Sequence, residues 1–143
     1  MGSTGVQVYG SSVLAIDGCT LQDYSVSGIS MIGSSVDVSV IDNVLDGSDA
    51  DYAGAFLRDG DADINNNQIS GHAGGSNAIG VYLFNPGTAV VSGNTLSNNY
   101  NGVFLAGTDG ATISGNTISG HQNISIQVQQ DSDNLSLIHI SEP

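Results

Sequence analysis

Ser92-Gly-Asn-Thr-Leu-Ser97, then Gly102-Val-Phe-Leu105, then Ser114-Gly-Asn-Thr-Ile-Ser119: these three stretches set the fold, because the third restates the first after a single turn of sequence. Working outward, the middle element recurs as Gly5-Val-Gln-Val8, Gly28-Ile-Ser-Met31, Gly54-Ala-Phe-Leu57, Gly80-Val-Tyr-Leu83 and Asn123-Ile-Ser-Ile126. Successive starts are 23, 26, 26, 22 and 21 residues apart. A second element follows each, as Leu14-x-Ile16, Val38-x-Val40, Ala62-x-Ile64, Ala89-x-Val91 and Ala111-x-Ile113. Three residues later stands Cys19, Asn43, Asn67, Asn94 or Asn116, and two beyond that Leu21, Leu45, Ile69, Leu96 or Ile118. A repeat of this length signals a solenoid.

Apolar residues alternate with variable ones in every element, the mark of a strand with one buried face. One coil cannot bury that face alone, but stacked coils do, with each strand pairing to the coils on either side. Insertions fall between the last apolar residue of a repeat and the next Gly, so one turn absorbs the length variation. The recurring Asn suits a sharp turn: it tolerates the left-handed region, and its amide can bond the Asn one coil away. Asn43, Asn67, Asn94 and Asn116 are therefore expected to form a structural ladder, with Cys19 in the first place as a small buried thiol.

The Ser-Gly-Asn-Thr-Leu/Ile-Ser units and the Gly-Val-Tyr/Phe-Leu between them resemble right-handed parallel β-helix repeat proteins. That group takes in pectate lyase-like enzymes, uronate epimerase modules, NosD-type periplasmic proteins and surface adhesins. The fold expected is all-β, a single-domain right-handed parallel β-helix of about six coils of 21–26 residues, occupying residues 1–134. Residues 135–143 depart from the repeat and are set apart as a non-repeat, non-native tail, with a true C-terminal strand as the alternative. With no cap or signal peptide before the first repeat, the chain reads as an internal fragment whose partners include further coils of a parent protein. The resemblance implies an extracellular, cell-surface or periplasmic setting in bacteria.

The chain carries 14 acidic residues against a single basic side chain, Arg58, for a net charge of −13. Neutralising phosphates takes Lys and Arg, so nucleic acid is an unfavourable partner, as is an anionic membrane surface. A composition with 20 Gly and abundant Asp, Asn and Ser favours turns and short strands over helices. The lone cysteine cannot form an internal disulfide.

With the inward columns assigned, Phe56, Tyr82 and Phe104 fall in one outward column, and Arg58 and Phe84 in the next. Exposed aromatic patches mark contact surfaces; aromatic faces stack on sugar rings, and in the enzymes that the chain resembles this strand face forms the substrate groove. The alternative is that a long insertion, such as 70–79, folds over the stripe and buries it. Asp59 and Asp61, alternating around Gly60, are weak Ca²⁺ candidates that Asp46, Asp49 and Asp51 would assist if the two segments stack. An Asp-Gly turn is the plainer reading. His72 and His121 each follow Ile-Ser-Gly, about two coil spacings apart, too far to share one zinc, and are expected in solvent-exposed loops.

No catalytic residue can be carried over from the resemblance. Pectate lyase-like chemistry uses basic side chains where this chain has no Lys and one Arg, the Tyr-Gly-x-Asp-Pro-His signature associated with mannuronan epimerases does not occur, and the outward first-strand positions hold no carboxylates for hydrolysis. The leading functional expectation is a non-catalytic scaffold that contacts polysaccharide or cell-surface glycan through Phe56, Arg58, Tyr82, Phe84 and Phe104. The alternatives are a fragment of a polysaccharide lyase or uronate epimerase with its catalytic residues missing, and a structural spacer or adhesin stalk.

Overall fold

The computed structural model describes residues 2–107, 111–129 and 136–138. Its first coil consists of β1 (Val6–Tyr9), β2 (Val13–Asp17) and β3 (Thr20–Gln22), and the second of β4 (Ser27–Ile32), β5 (Asp37–Ile41) and β6 (Val44–Asp46). The third has β7 (Ala53–Arg58), β8 (Asp61–Asn65) and β9 (Gln68–Ser70); the fourth has β10 (Ile79–Phe84), β11 (Ala89–Ser92) and β12 (Thr95–Ser97). β13 (Asn101–Ala106), β14 (Ala111–Ser114) and β15 (Thr117–Ser119) make the fifth, and β16 (Ile124–Gln129) and β17 (Ser136–Ile138) belong to a sixth.

Each strand pairs in parallel with its counterparts one coil away. The result is two six-stranded sheets, β1-β4-β7-β10-β13-β16 and β2-β5-β8-β11-β14-β17, and a five-stranded sheet, β3-β6-β9-β12-β15. The register puts like on like: Leu83 faces Leu57 and Leu105, Val91 faces Ile64 and Ile113, and Leu96 faces Ile69 and Ile118. All nine are fully buried in one continuous core. The alternation legible in the sequence is therefore the burial pattern of the helix, with β7, β10 and β13 each showing Leu in and Phe or Tyr out.

The Gly at the start of the first strand in each of the first five coils is there because the coils meet backbone to backbone. A Cβ on Gly80 would lie 2.7 Å from the carbonyl oxygen of Gly102, and one on Gly54 2.6 Å from that of Gly80. Real Cβ atoms do not approach main chain so closely.

The Asn ladder forms as expected. Asn67 Nδ2 donates to Asn94 Oδ1 at 2.9 Å and to the Val40 carbonyl at 2.8 Å, while Asn94 Nδ2 donates to Asn116 Oδ1 at 2.9 Å and to the Ile64 carbonyl at 2.8 Å. Each Oδ1 also accepts the backbone N–H of the ladder residue one coil earlier, from Cys19 onto Asn43 through Asn94 onto Asn116. The left-handed residue, however, is the one before the ladder Asn: Gly18, Asp42, Asn66, Gly93 and Gly115 all have φ between 56° and 65°. That residue takes the strain of the turn and leaves the ladder Asn free to point inward.

Two further expectations are corrected. Cys19 is exposed rather than buried, because the described residues supply no coil to cover the outer side of the first one; Val13 and Leu14 are exposed for the same reason. Its backbone N–H alone joins the ladder, at 2.9 Å from Asn43 Oδ1. The sixth coil is slipped by two residues, with Val103 opposite Ile126 and Phe104 opposite Gln127, a step of 23 residues rather than 21. A slip of two keeps the same side chains inward, so alternation alone could not fix it. In the segment set apart as a tail, residues 136–138 form β17 and pair in parallel with β14; His139 lies outside the described residues.

Candidate functional site

The first sheet carries the site on its outer surface. Because β7, β10 and β13 stack in register, Phe56, Tyr82 and Phe104 stand directly opposite one another. Their centroids are 5.1 Å apart for Phe56–Tyr82 and 5.1 Å for Tyr82–Phe104, with planes inclined at 51° and 87°. Such tilted and edge-to-face pairs are the favoured packing of aromatic quadrupoles. The three rings remain half-buried rather than covered.

Tyr52 extends the cluster, its ring 5.3 Å from Phe56 and 5.8 Å from Tyr82. The sequence reading missed it, and Tyr100 likewise. Each sits four residues before an outward aromatic, Phe56 or Phe104, and shares its parity, which was the available signal. Burial, and then the proximity of Tyr82, raises the Tyr52 phenol above its ordinary pKa, against a smaller lowering influence from Arg58. The hydroxyl is thus neutral and a hydrogen-bond donor at neutral pH.

Tyr52, Tyr82, Tyr100 and Phe104 line a cavity of about 410 Å³ whose polar wall consists of Ser76, Asn77, Asn101, Asn123 and Gln127. That volume lies in the range of small-ligand sites. The insertion before β10 contributes Ser76 and Asn77 to the rim, and Phe56, Tyr82 and Phe104 are half-buried beneath it. A smaller hollow of about 250 Å³ adjoins between Phe84, Asn85 and Ala106, and another of about 230 Å³ between Phe56, Arg58 and Phe84. Tyr82 borders all three.

Arg58 stands at the edge of this face. Its guanidinium lies 5.9 Å from the Phe84 centroid, and its Nε is 3.4 Å from Asp59. Asp61 Oδ1 accepts the Thr88 N–H at 2.6 Å. The two Ca²⁺ candidates are thus engaged in turn contacts. Asp46, Asp49 and Asp51 are at a different corner, where Gly74 bonds the Ala50 carbonyl, so the two acidic segments do not stack. Among the described residues no three His, Cys, Asp or Glu side chains are grouped to hold a metal ion.

His72 departs most from expectation: it is fully buried, not an exposed loop residue. Main-chain partners fix the Asn99 amide, whose Oδ1 accepts the His72 N–H at 3.0 Å and whose Nδ2 donates to the Ile69 carbonyl at 3.2 Å. His72 Nδ1 therefore donates to that Oδ1 at 2.9 Å, and Nε2 accepts the Tyr24 hydroxyl at 2.7 Å. The Tyr24 and His72 rings stack across the intervening coil because Gly47 leaves room: a Cβ there would lie 2.8 Å from the imidazole. Burial pushes the imidazole down to about 4, against opposing influences from Asn99 and Asp46. His121, half-buried one coil beyond Asn99, bonds the Asn99 main chain at 3.3 Å. Asn99 thus separates the two histidines.

Stacked parallel sheets, an amide ladder at one corner and a uniform inward column define a parallel β-helix. The chain belongs to the right-handed β-helix family: the family model described as a right handed beta helix region matches residues 27–139. Comparison with curated proteins and with solved structures gave no match.

Proposed function

We propose that the chain is a β-helix scaffold that contacts a polysaccharide or cell-surface glycan through the aromatic face of its first sheet, at an extracellular, cell-surface or periplasmic location. The observation that carries this reading is the open cavity of about 410 Å³ in which aromatic rings face a wall of amides and hydroxyls. Sugar rings present apolar C–H faces and equatorial hydroxyls at once. A site for them therefore needs ring surface beside groups that both donate and accept hydrogen bonds, which Asn and Gln amides do. A rigid solenoid holds such groups in place with little loss of side-chain freedom on binding. Phe56, Tyr82 and Phe104 supply the ring surface, and Phe84 and Arg58 extend it at one edge.

The test is affinity electrophoresis of the full chain through gels containing soluble polysaccharides, beside a Phe56→Ala/Tyr82→Ala/Phe104→Ala variant of unchanged circular dichroism. Retardation of the parent chain that the variant loses supports the reading. Equal mobility of the two in every gel rejects it in favour of a structural spacer.

A further inference from the structure

We infer that the ligand of this face is a single, uncharged glycan chain, and that neither an acidic polysaccharide nor a flat crystalline surface binds there. The inference rests on the glycan reading above and adds the chemical class. None of the described residues lining the cavity is charged, although the chain carries 14 acidic side chains and one arginine. Its polar wall is built from four amides, Asn77, Asn101, Asn123 and Gln127, with the Ser76 hydroxyl. Amides offer donors and acceptors together, which suits sugar hydroxyls; a carboxylate needs donors and cations.

The one available cation stands in the adjoining hollow, beside Phe56 and Phe84, and outside this cavity. Arg58 does not line the cavity, is partnered by Asp59 at 3.4 Å and lies over Phe84 at 5.9 Å. A uronate chain would also approach a surface of net charge −13, which repels it at long range. The ring geometry excludes a flat surface. Successive planes on the stripe are inclined at 51° and 87°, so the rings share no common plane and cannot act as one platform. A single chain, free to twist between residues, can present a different face to each ring.

The experiment measures retardation of the full chain in gels of neutral polysaccharides (a soluble β-glucan, a galactomannan, a mannan) and of anionic ones (polygalacturonate, alginate), each at low and high salt, with a pull-down on crystalline cellulose alongside. The inference predicts retardation in at least one neutral gel, unchanged by salt, and none in the anionic gels or on cellulose. Asn77→Ala/Gln127→Ala should weaken it by about tenfold, the ratio to which roughly 1.4 kcal/mol of lost hydrogen bonding corresponds. Retardation confined to anionic gels and weakened by salt overturns the uncharged class while leaving the glycan reading standing. Binding to cellulose alone overturns the single-chain claim. No retardation anywhere rejects the glycan reading and this inference with it.

Discussion

Asn67 gives Asn94 both of its neighbouring hydrogens: the backbone N–H and Nδ2 of Asn67 reach the same Asn94 oxygen, at 2.8 and 2.9 Å. Asn94→Ala therefore leaves the Asn67 backbone N–H and one Nδ2 hydrogen unpaired and takes the side-chain donor from the Ile64 carbonyl, while the Asn116 oxygen keeps only the backbone N–H of residue 94. Each buried group left unpaired costs about 1–3 kcal/mol, so a total loss of about 3 kcal/mol or more is expected. Asn98 lies outside the ladder but has φ 55°, so Asn98→Ala should cost only about 1 kcal/mol of left-handed strain. Urea denaturation of the two variants reads the difference, and equal losses would count against the ladder as the register-setting element.

Leu83 and Tyr82 are neighbours on opposite faces of β10. Leu83→Ala opens a cavity in the continuous core and should cost about 3 kcal/mol. Tyr82→Ala loses ring contacts on the open face and should cost about 1 kcal/mol. A larger loss for Tyr82→Ala on thermal denaturation would mean that the stripe is core rather than surface.

Gly80→Ala tests the backbone contact between coils. Its Cβ would fall 2.7 Å from the Gly102 oxygen and 2.9 Å from Asn99 Nδ2. The strands are held at fixed spacing by pairing on both sides, so the coil cannot spread locally, and about 3 kcal/mol of stability should be lost. Gly75→Ala, where a Cβ meets nothing within 4 Å, is the matched control. Similar melting temperatures for the two would contradict the close approach.

His72 gives the fold a specific pH dependence. Its folded pKa, about 4, lies below the ordinary value of 6.5, so between those values the unfolded chain binds the proton that the folded chain refuses. The contribution is fully present above pH 6.5 and is lost as pH falls toward 4, amounting to about 2 kcal/mol between pH 7 and 5. His72→Gln should be less stable at pH 7 and should lack that part of the slope. A variant whose stability falls as steeply as the parent's over this interval would show that His72 is not the group responsible.

Much of this fold was legible because its determinants are local and repeated. Asn43, Asn67, Asn94 and Asn116 recur at one offset from apolar pairs, and the inward residues of β7, β10 and β13 share one parity. The sixth coil was misjudged by two residues because Asn123-Ile-Ser-Ile126 and Ser125-Ile-Gln-Val128 alternate identically; the contact in which Asn123 Nδ2 donates to Asn101 Oδ1 at 3.0 Å became visible only in three dimensions. His72 was misplaced for a related reason. Its burial depends on Tyr24, 48 residues away, on Asn99, 27 residues away, and on the absence of a side chain at Gly47. No pattern within one repeat carries that information. At the site, Phe56, Tyr82 and Phe104 followed from strand parity, whereas Tyr52, Asn77 and Asn123 come from turns of variable length that periodicity does not govern.

The most direct test of the aromatic face is aromatic ¹³C NMR of the chain, whose five Tyr and three Phe give few signals to assign, titrated with oligosaccharides from neutral soluble polysaccharides. The account predicts that Tyr52, Tyr82 and Phe104 shift together with one of them, while Tyr24, stacked on His72 inside the helix, does not move. Shifts confined to aromatics off the stripe, such as the exposed Tyr9, or no shift with any oligosaccharide, would contradict it.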